Sequence, residues 1–231
     1  MKCDIRLIMT NKNDNYDYVK LFSYLDDLNL CANTELANKY REIIEYRFEH
    51  FIPAVRFDSA LFLYQLSLIK QPQNILEIGF GSGVSAYFIN KPLFALPKSF
   101  ITLEKDESRY ERGINVLKEF GMENVTLLKK DAFEFLQNCQ EKFDYIFLDA
   151  GKKDYLAYLP IINNLISQGG FLICDNTFFN GKVAVNEENL AKSYAKSVPL
   201  LKEFNMNLAK SNLYNTSYFW IGDGMSLSVR K

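Results

Sequence analysis

The chain is short of the residues that build several common kinds of site. It has one histidine, His50, and one tryptophan. With no metal partner near it in sequence, His50 reads as a structural or surface residue. The four cysteines, Cys3, Cys31, Cys139 and Cys174, form no Cys-x-x-Cys pair, so neither a structural zinc site nor a disulfide framework is expected. Cys139 and Cys174 stand in or beside apolar segments and read as buried thiols. A basic excess is missing too. The formal net charge is −1, which lacks the cationic signature of a general nucleic-acid binder, though a local patch stays open. No apolar run approaches the roughly 18 residues that cross a bilayer. The opening segment is broken by Lys2, Asp4 and Arg6 and does not resemble a secretory leader. A soluble cytoplasmic protein is the expectation.

What is present is core material. Apolar residues make up 48% of 231 positions, and Phe and Tyr are plentiful, which disfavours disorder. One domain over 1–231 is expected, with a helical segment at 1–72 and an α/β core at 73–231. In the first part, Leu36, Tyr40, Ile43, Ile44 and Phe48 recur at helical spacing after a cap at Asn33 or Thr34, and Pro53 ends that helix. A second helix is predicted over 58–69, with Asp58 near its cap. From Asn74 the texture changes. Short apolar runs at 75–78, 100–103, 125–128, 145–148 and 171–174 alternate with helical segments at 84–90, 108–120, 132–139 and 154–167. That alternation predicts a parallel sheet covered on both faces. Near the end, 218–221 and 225–229 flank Gly222-Asp223-Gly224, a hairpin signal.

The first strand runs into Glu77-Ile78-Gly79-Phe80-Gly81-Ser82-Gly83. Glycines there let the backbone turn sharply and approach a ligand, and the next helix offers free N–H groups. A dinucleotide fingerprint needs a glycine where this chain has Val84, so nicotinamide chemistry is disfavoured. The pattern is Glu-x-Gly-x-Gly-x-Gly instead, which resembles the first motif of class I S-adenosylmethionine-dependent methyltransferases. The resemblance implies a cofactor site built from Glu77, Gly79, Gly81, Gly83 and Ser85. Glu104 ends the second strand, where a carboxylate can accept two hydrogen bonds from ribose hydroxyls. A solvated position in the run Glu104-Lys105-Asp106-Glu107 is the plain alternative. After the third strand come Asp131 and Ala132. The same resemblance implies an adenine contact there, while Asp131 also fits a helix N-cap.

The fourth and fifth strands end in Asp149-Ala150-Gly151-Lys152-Lys153 and in Asp175-Asn176-Thr177. Neighbouring parallel strands bring their C-terminal ends together, and open α/β sheets bind ligands at that edge. Asp149, Asp175 and Asn176 then converge as hard oxygen ligands suited to Mg²⁺, Mn²⁺ or Ca²⁺ rather than zinc. Taken singly, the same residues suit an Asx turn, a helix cap and surface charge. Together, Asp149-Ala150-x-Lys152-x-x-Tyr155, Asp175-Asn176 and Gly181 resemble the metal-dependent O-methyltransferases, the family of catechol and caffeoyl-CoA O-methyltransferases and their bacterial relatives. The closing Gly222-Asp223-Gly224-Met225-Ser226-Leu227 and the segment from Glu42 through Pro53 to Leu66 are similar as well.

The resemblance implies a seven-stranded sheet with an antiparallel last strand, and a homodimer. It implies a bound S-adenosylmethionine in which Asp149 takes part, a divalent metal, Lys152 as general base, and a small hydroxylated acceptor of catechol type. Gly151 stands where catechol and plant-type members often carry a second acid. Bacterial relatives that modify a hydroxylated uridine of transfer RNA also have a small residue there. They tend to carry a basic cluster after the Asp-Asn pair, whereas the stretch 186–196 has mixed charge. Phe178 and Phe179 can either wall an acceptor pocket or simply pack the core. A non-catalytic binding protein is the competing reading of another class.

Overall fold

The computed structural model describes residues 17–46 and 52–231. Cys3, Phe48 and His50 lie outside them. The chain divides into two compact units, Met1–Ala37 and Asn38–Lys231. The helical segment expected over 1–72 is thus shared between the two units. The first unit contains helix α1 (Tyr18–Ala32), which the sequence pattern left unassigned. Asp17 caps it by accepting the Lys20 N–H at 3.1 Å. Helix α2 (Thr34–Glu45) begins in that unit, and Ile43 on it is fully buried.

The second unit continues with α3 (Phe57–Lys70), β1 (Asn74–Ile78), α4 (Val84–Asn90), β2 (Ser99–Glu104), α5 (Glu107–Glu119) and β3 (Thr126–Lys129). Then come α6 (Ala132–Asn138), β4 (Phe143–Leu148), α7 (Tyr155–Leu165), β5 (Ile166–Cys174), α8 (Ser197–Ala209), β6 (Tyr214–Phe219) and β7 (Met225–Arg230). The strands form one sheet in the order β3-β2-β1-β4-β5-β7-β6. Only β7 runs antiparallel to its neighbours, as expected. The central strands read as unbroken apolar runs because helices cover both of their faces. Ile75, Leu76 and Ile78 on β1 and Tyr145, Ile146, Phe147 and Leu148 on β4 are all fully buried.

The order in which successive strands are added reverses across the parallel pair β1–β4. Strands β2 and β3 add on one side and β5 adds on the other. This is the topological switch point, where the crossovers diverge and leave a crevice beyond the strand ends. Among the described residues, no helix is long and apolar enough to cross a membrane.

Three local expectations need correction. The helix predicted over 154–167 stops at Leu165, and Ile166 already begins β5. The Gly169-Gly170 pair sits inside that strand, where Gly169 takes φ +69° and the register with β4 shifts, so glycine there serves a strand irregularity. In the closing hairpin, β6 starts at Tyr214 and ends at Phe219, so Ile221 belongs to the turn. Cys139 is half-buried rather than buried, while Cys174 is fully buried.

Candidate active site

The turn after β1 is shaped by what surrounds it. Gly79 adopts φ +106°, and a Cβ there would lie 2.0 Å from the Asp149 carbonyl oxygen. Only glycine lets β1 leave the sheet so close to the end of β4. The Gly81 N–H donates to Glu104 Oε2 at 3.2 Å, and the Asp106 N–H donates to Oε1 at 2.9 Å. Arg109 Nη2 stands 3.2 Å from Oε1. The Glu104 side chain, 6% exposed, is thus held against the glycine loop.

A cleft of about 280 Å³ opens beside this turn. It is lined by Gly79, Gly81, Ser85, Glu104, Asp131, Ala132 and Asp149, residues from five separate stretches of sequence. Asp131 has both properties foreseen for it. It caps α6, accepting the Phe133 N–H at 2.9 Å and the Glu134 N–H at 3.3 Å, and it faces the cleft. Two residues of the glycine motif are not among the lining. Gly83 is the left-handed N-cap of α4 and packs against Phe80 and Val116. Glu77 is fully buried, with Thr102 Oγ1 donating to its Oε2 at 2.5 Å. The structure places both behind the cleft wall rather than on it.

Other lining residues carry no local signal. The segment 52–55 closes one side of the cleft, and a Cβ on Gly81 would come 3.4 Å from the Pro53 carbonyl oxygen. The sequence marks Pro53 as a helix stop within a family-like segment, with no sign that it walls a cleft. Arg109, Lys130, Asp154 and Tyr158 also face the cleft. Of these, Arg109 was the easiest to find, one turn into the helix that follows Glu104.

At the edge of the cleft, the sheet ladder runs one residue past β4 and β5. The Asp149 N–H donates to Ile78 O at 3.0 Å and the Asp175 N–H to Leu148 O at 3.1 Å. The Tyr155 hydroxyl, fully buried, lies 3.0 Å from Leu148 O and 3.1 Å from Asp175 O and locks the two strand ends together. Lys152 Nζ is 2.7 Å from Asp149 Oδ1 and 3.1 Å from Ala150 O. Its neighbour Lys153 is exposed. Asp175 is 2% exposed, and its Oδ1 accepts the Asn176 N–H at 2.7 Å. Burial raises the Asp175 carboxyl above the ordinary range, and the charge of Asp149 raises it further, while Lys152 opposes both. Asn176 takes φ +55°, and its Nδ2 lies 3.4 Å from Asp223 Oδ2.

Glu77 gives the fold a pH dependence. Burial pushes its carboxyl from an ordinary 4.5 up to about 8, against hydrogen bonds from Ser85 and Thr102. The folded state prefers the protonated form. The associated stability is fully present below pH 4.5 and is lost as the pH rises through about 8. Glu77→Gln, which cannot ionise, is expected to be the more stable protein at pH 9, by on the order of 3 kcal/mol. Below pH 5 the difference should nearly vanish. Urea midpoints measured from pH 5 to 9 check this, and parallel profiles would mean that Glu77 does not titrate in the window.

Known proteins share this fold. The O-methyltransferase family model matches residues 33–231. A flavonoid 3',5'-methyltransferase of Vitis vinifera is 29% identical over 187 residues, 76% of this chain and 78% of its own length. A candidate caffeoyl-CoA O-methyltransferase of Staphylococcus aureus has a solved structure that matches with a TM-score of 0.77 at 25% identity, over 90% of this chain and 98% of that one. An O-methyltransferase of Bacillus cereus, solved in complex with S-adenosylhomocysteine, matches in fold with a TM-score of 0.69 at 23% identity, over 86% of this chain and 90% of that one. A match that spans the sheet, its closing hairpin and both strand-end motifs leaves one assignment: this chain belongs to the O-methyltransferase family, as a class I S-adenosylmethionine-dependent enzyme.

Proposed function

We propose that the chain transfers the methyl group of S-adenosylmethionine to a hydroxyl oxygen of a small aromatic, catechol-like acceptor. A divalent cation (Mg²⁺, or Mn²⁺ or Ca²⁺) is held by Asp149, Asp175 and Asn176, and Lys152 is the general base. The observation that carries this reading is the double position of Asp149. It lines the cleft suited to the donor and also carries the ion pair to Lys152. The flavonoid and caffeoyl-CoA activities named for the relatives support a phenolic acceptor.

For the donor, Glu104 is placed to accept ribose hydroxyls and Asp131 to receive an adenine amino group. Gly79, Gly81, Ser85 and Ala132 offer close backbone approach, with Glu77 and Gly83 shaping the loop from behind. The donor set for the metal also fits. Asp149 and Asp223 both act on the buried Asp175, with Lys152 as the opposing cation. The acidic side chains at the strand ends outnumber the one lysine that opposes them. Among the described residues no three His, Cys, Asp or Glu side chains form a metal cluster. The proposed set is of another kind, with two carboxylates and one carboxamide. A divalent ion there would lower the pKa of the acceptor hydroxyl and fix its oxygen.

The chain's own residues then do the rest. Lys152, 16% exposed and within reach of the strand ends, takes the proton from the acceptor hydroxyl as the neutral amine, its own proton having first passed to solvent. The segment 52–55 and Tyr158 exclude water from the donor side. Holding both reactants in line contributes on the order of 7 kcal/mol of the barrier reduction. A homodimer, implied by the family likeness, and the cytoplasmic location expected from the sequence complete the reading.

The test is transfer of labelled methyl to catechols and flavonoids, with unmodified transfer RNA as comparator. Activity on a catechol that disappears with chelator and returns with Mg²⁺ or Mn²⁺ is the expected result. Undiminished turnover in thoroughly metal-free enzyme would sink the metal assignment. Methylation of transfer RNA alone would overturn the small-acceptor assignment.

A further inference from the structure

The segment leaving β5 is held in a conformation that its residues do not favour. Asn176, Phe179 and Asn180 all adopt left-handed backbone angles, with φ of 55°, 46° and 51°, and Gly181 follows at 72°. Three non-glycine residues of this kind within five positions persist only where surrounding contacts impose them. Those contacts come largely from the β6–β7 turn, and Asp223 is their centre. Its carbonyl accepts the Phe178 N–H at 3.1 Å, and the Gly224 carbonyl accepts the Thr177 N–H at 2.9 Å. Its carboxylate accepts the Asn180 N–H through Oδ1 and the Asn176 side chain through Oδ2, the latter at 3.4 Å. The turn is itself anchored, because the Gly222 N–H donates to Asp58 Oδ2 at 2.9 Å.

A carboxylate can only accept, so it can engage the Asn176 amide only through Nδ2. That contact fixes which end of the carboxamide is which and leaves Oδ1 for another partner. We infer that Asp223 is a positioning residue which sets the orientation of the Asn176 amide and the backbone of 176–180, so that an amide oxygen is presented to the divalent cation. This inference rests on the metal assignment above.

Cation affinity measured on the enzyme without donor or acceptor tests it, using Mn²⁺ titration followed by electron paramagnetic resonance. Asp223→Ala is expected to weaken Mn²⁺ binding by about 10- to 100-fold, the usual range for lost support behind a metal ligand. Binding of S-adenosylhomocysteine should stay within twofold. In an Asn176→Ala background, removing Asp223 should add less than a further twofold loss. Asp223→Asn, close to isosteric, guards against a folding defect. It should fold, keep the Asn180 contact and bind Mn²⁺ with intermediate affinity. Mn²⁺ affinity within twofold of the parent in both variants would overturn the inference. So would an undiminished loss in the Asn176→Ala background, or parallel loss of S-adenosylhomocysteine binding. Failure of the unsubstituted enzyme to bind Mn²⁺ would reject the metal assignment and this inference together, and is distinguished by arising before any substitution is made.

Discussion

Lys152→Ala should lower kcat by about 10²–10⁴-fold, the usual effect of losing an acid–base group, while S-adenosylmethionine binds almost as before. Lys152 leaves the turn after β4 and returns over the strand ends, where its ammonium sits 2.7 Å from Asp149 Oδ1. It is therefore within reach of an acceptor oxygen held beside Asp149, and it does not line the donor cleft. Lys153, exposed in the turn before α7, faces solvent, so Lys153→Ala should keep most of the rate. Single-turnover methyl transfer with both variants separates the two. Near-normal turnover in the Lys152 variant would mean that the metal alone activates the oxygen, and the general-base assignment would fall.

Gly79→Ala should abolish donor binding and destabilise the fold by roughly 3–5 kcal/mol, the range of severe single substitutions. Two costs combine. The backbone at φ +106° is unfavourable for any residue with a side chain, and the added Cβ would overlap the Asp149 carbonyl oxygen at 2.0 Å. A flexible side chain could move aside, but a backbone carbonyl at a strand end moves only with the chain. Relief requires parting β1 from the end of β4, which moves Asp149 as well. Gly121→Ala separates the two costs. Gly121 also has a positive φ, +67°, but nothing lies within 4 Å of its would-be Cβ. It should lose only about 1–2 kcal/mol of backbone strain. Urea unfolding and calorimetry with S-adenosylhomocysteine check both. A Gly79 variant that binds the donor would show that β1 and β4 can separate without cost.

Much of the site was readable because each piece sits at a strand end. Asp149, Lys152, Asp175 and Asn176 follow apolar runs too short and too continuous to be surface helices, so their convergence followed from the parallel order. Glu77 shows the limit of the motif. Its place in Glu-x-Gly-x-Gly-x-Gly suggests a ligand contact, yet position 77 pairs with Thr102 and Phe147 inside the sheet, and its carboxyl is sealed there. Arg109 and Tyr155 were visible as residues but not as partners, because their contacts with Glu104 and with the two strand ends depend on how α5 and α7 pack.

The sequence by itself determined the alternation of strands and helices, the glycine turn and the oxygen-bearing side chains at the strand ends. These rest on local chemistry: continuous apolar runs that need cover on both faces, φ values that only glycine adopts easily, and carboxylates at strand ends. Only the tertiary structure decided which residues close the site. The segment 52–55 lies over a glycine loop that follows it by some thirty residues, and Asp223 reaches back 47 positions to Asn176 and 43 to Asn180. Contacts at such separations leave no periodicity in the chain. They exist because the sheet brings the ends of β5 and β7 side by side, and that adjacency is a property of strand order, not of any stretch of sequence.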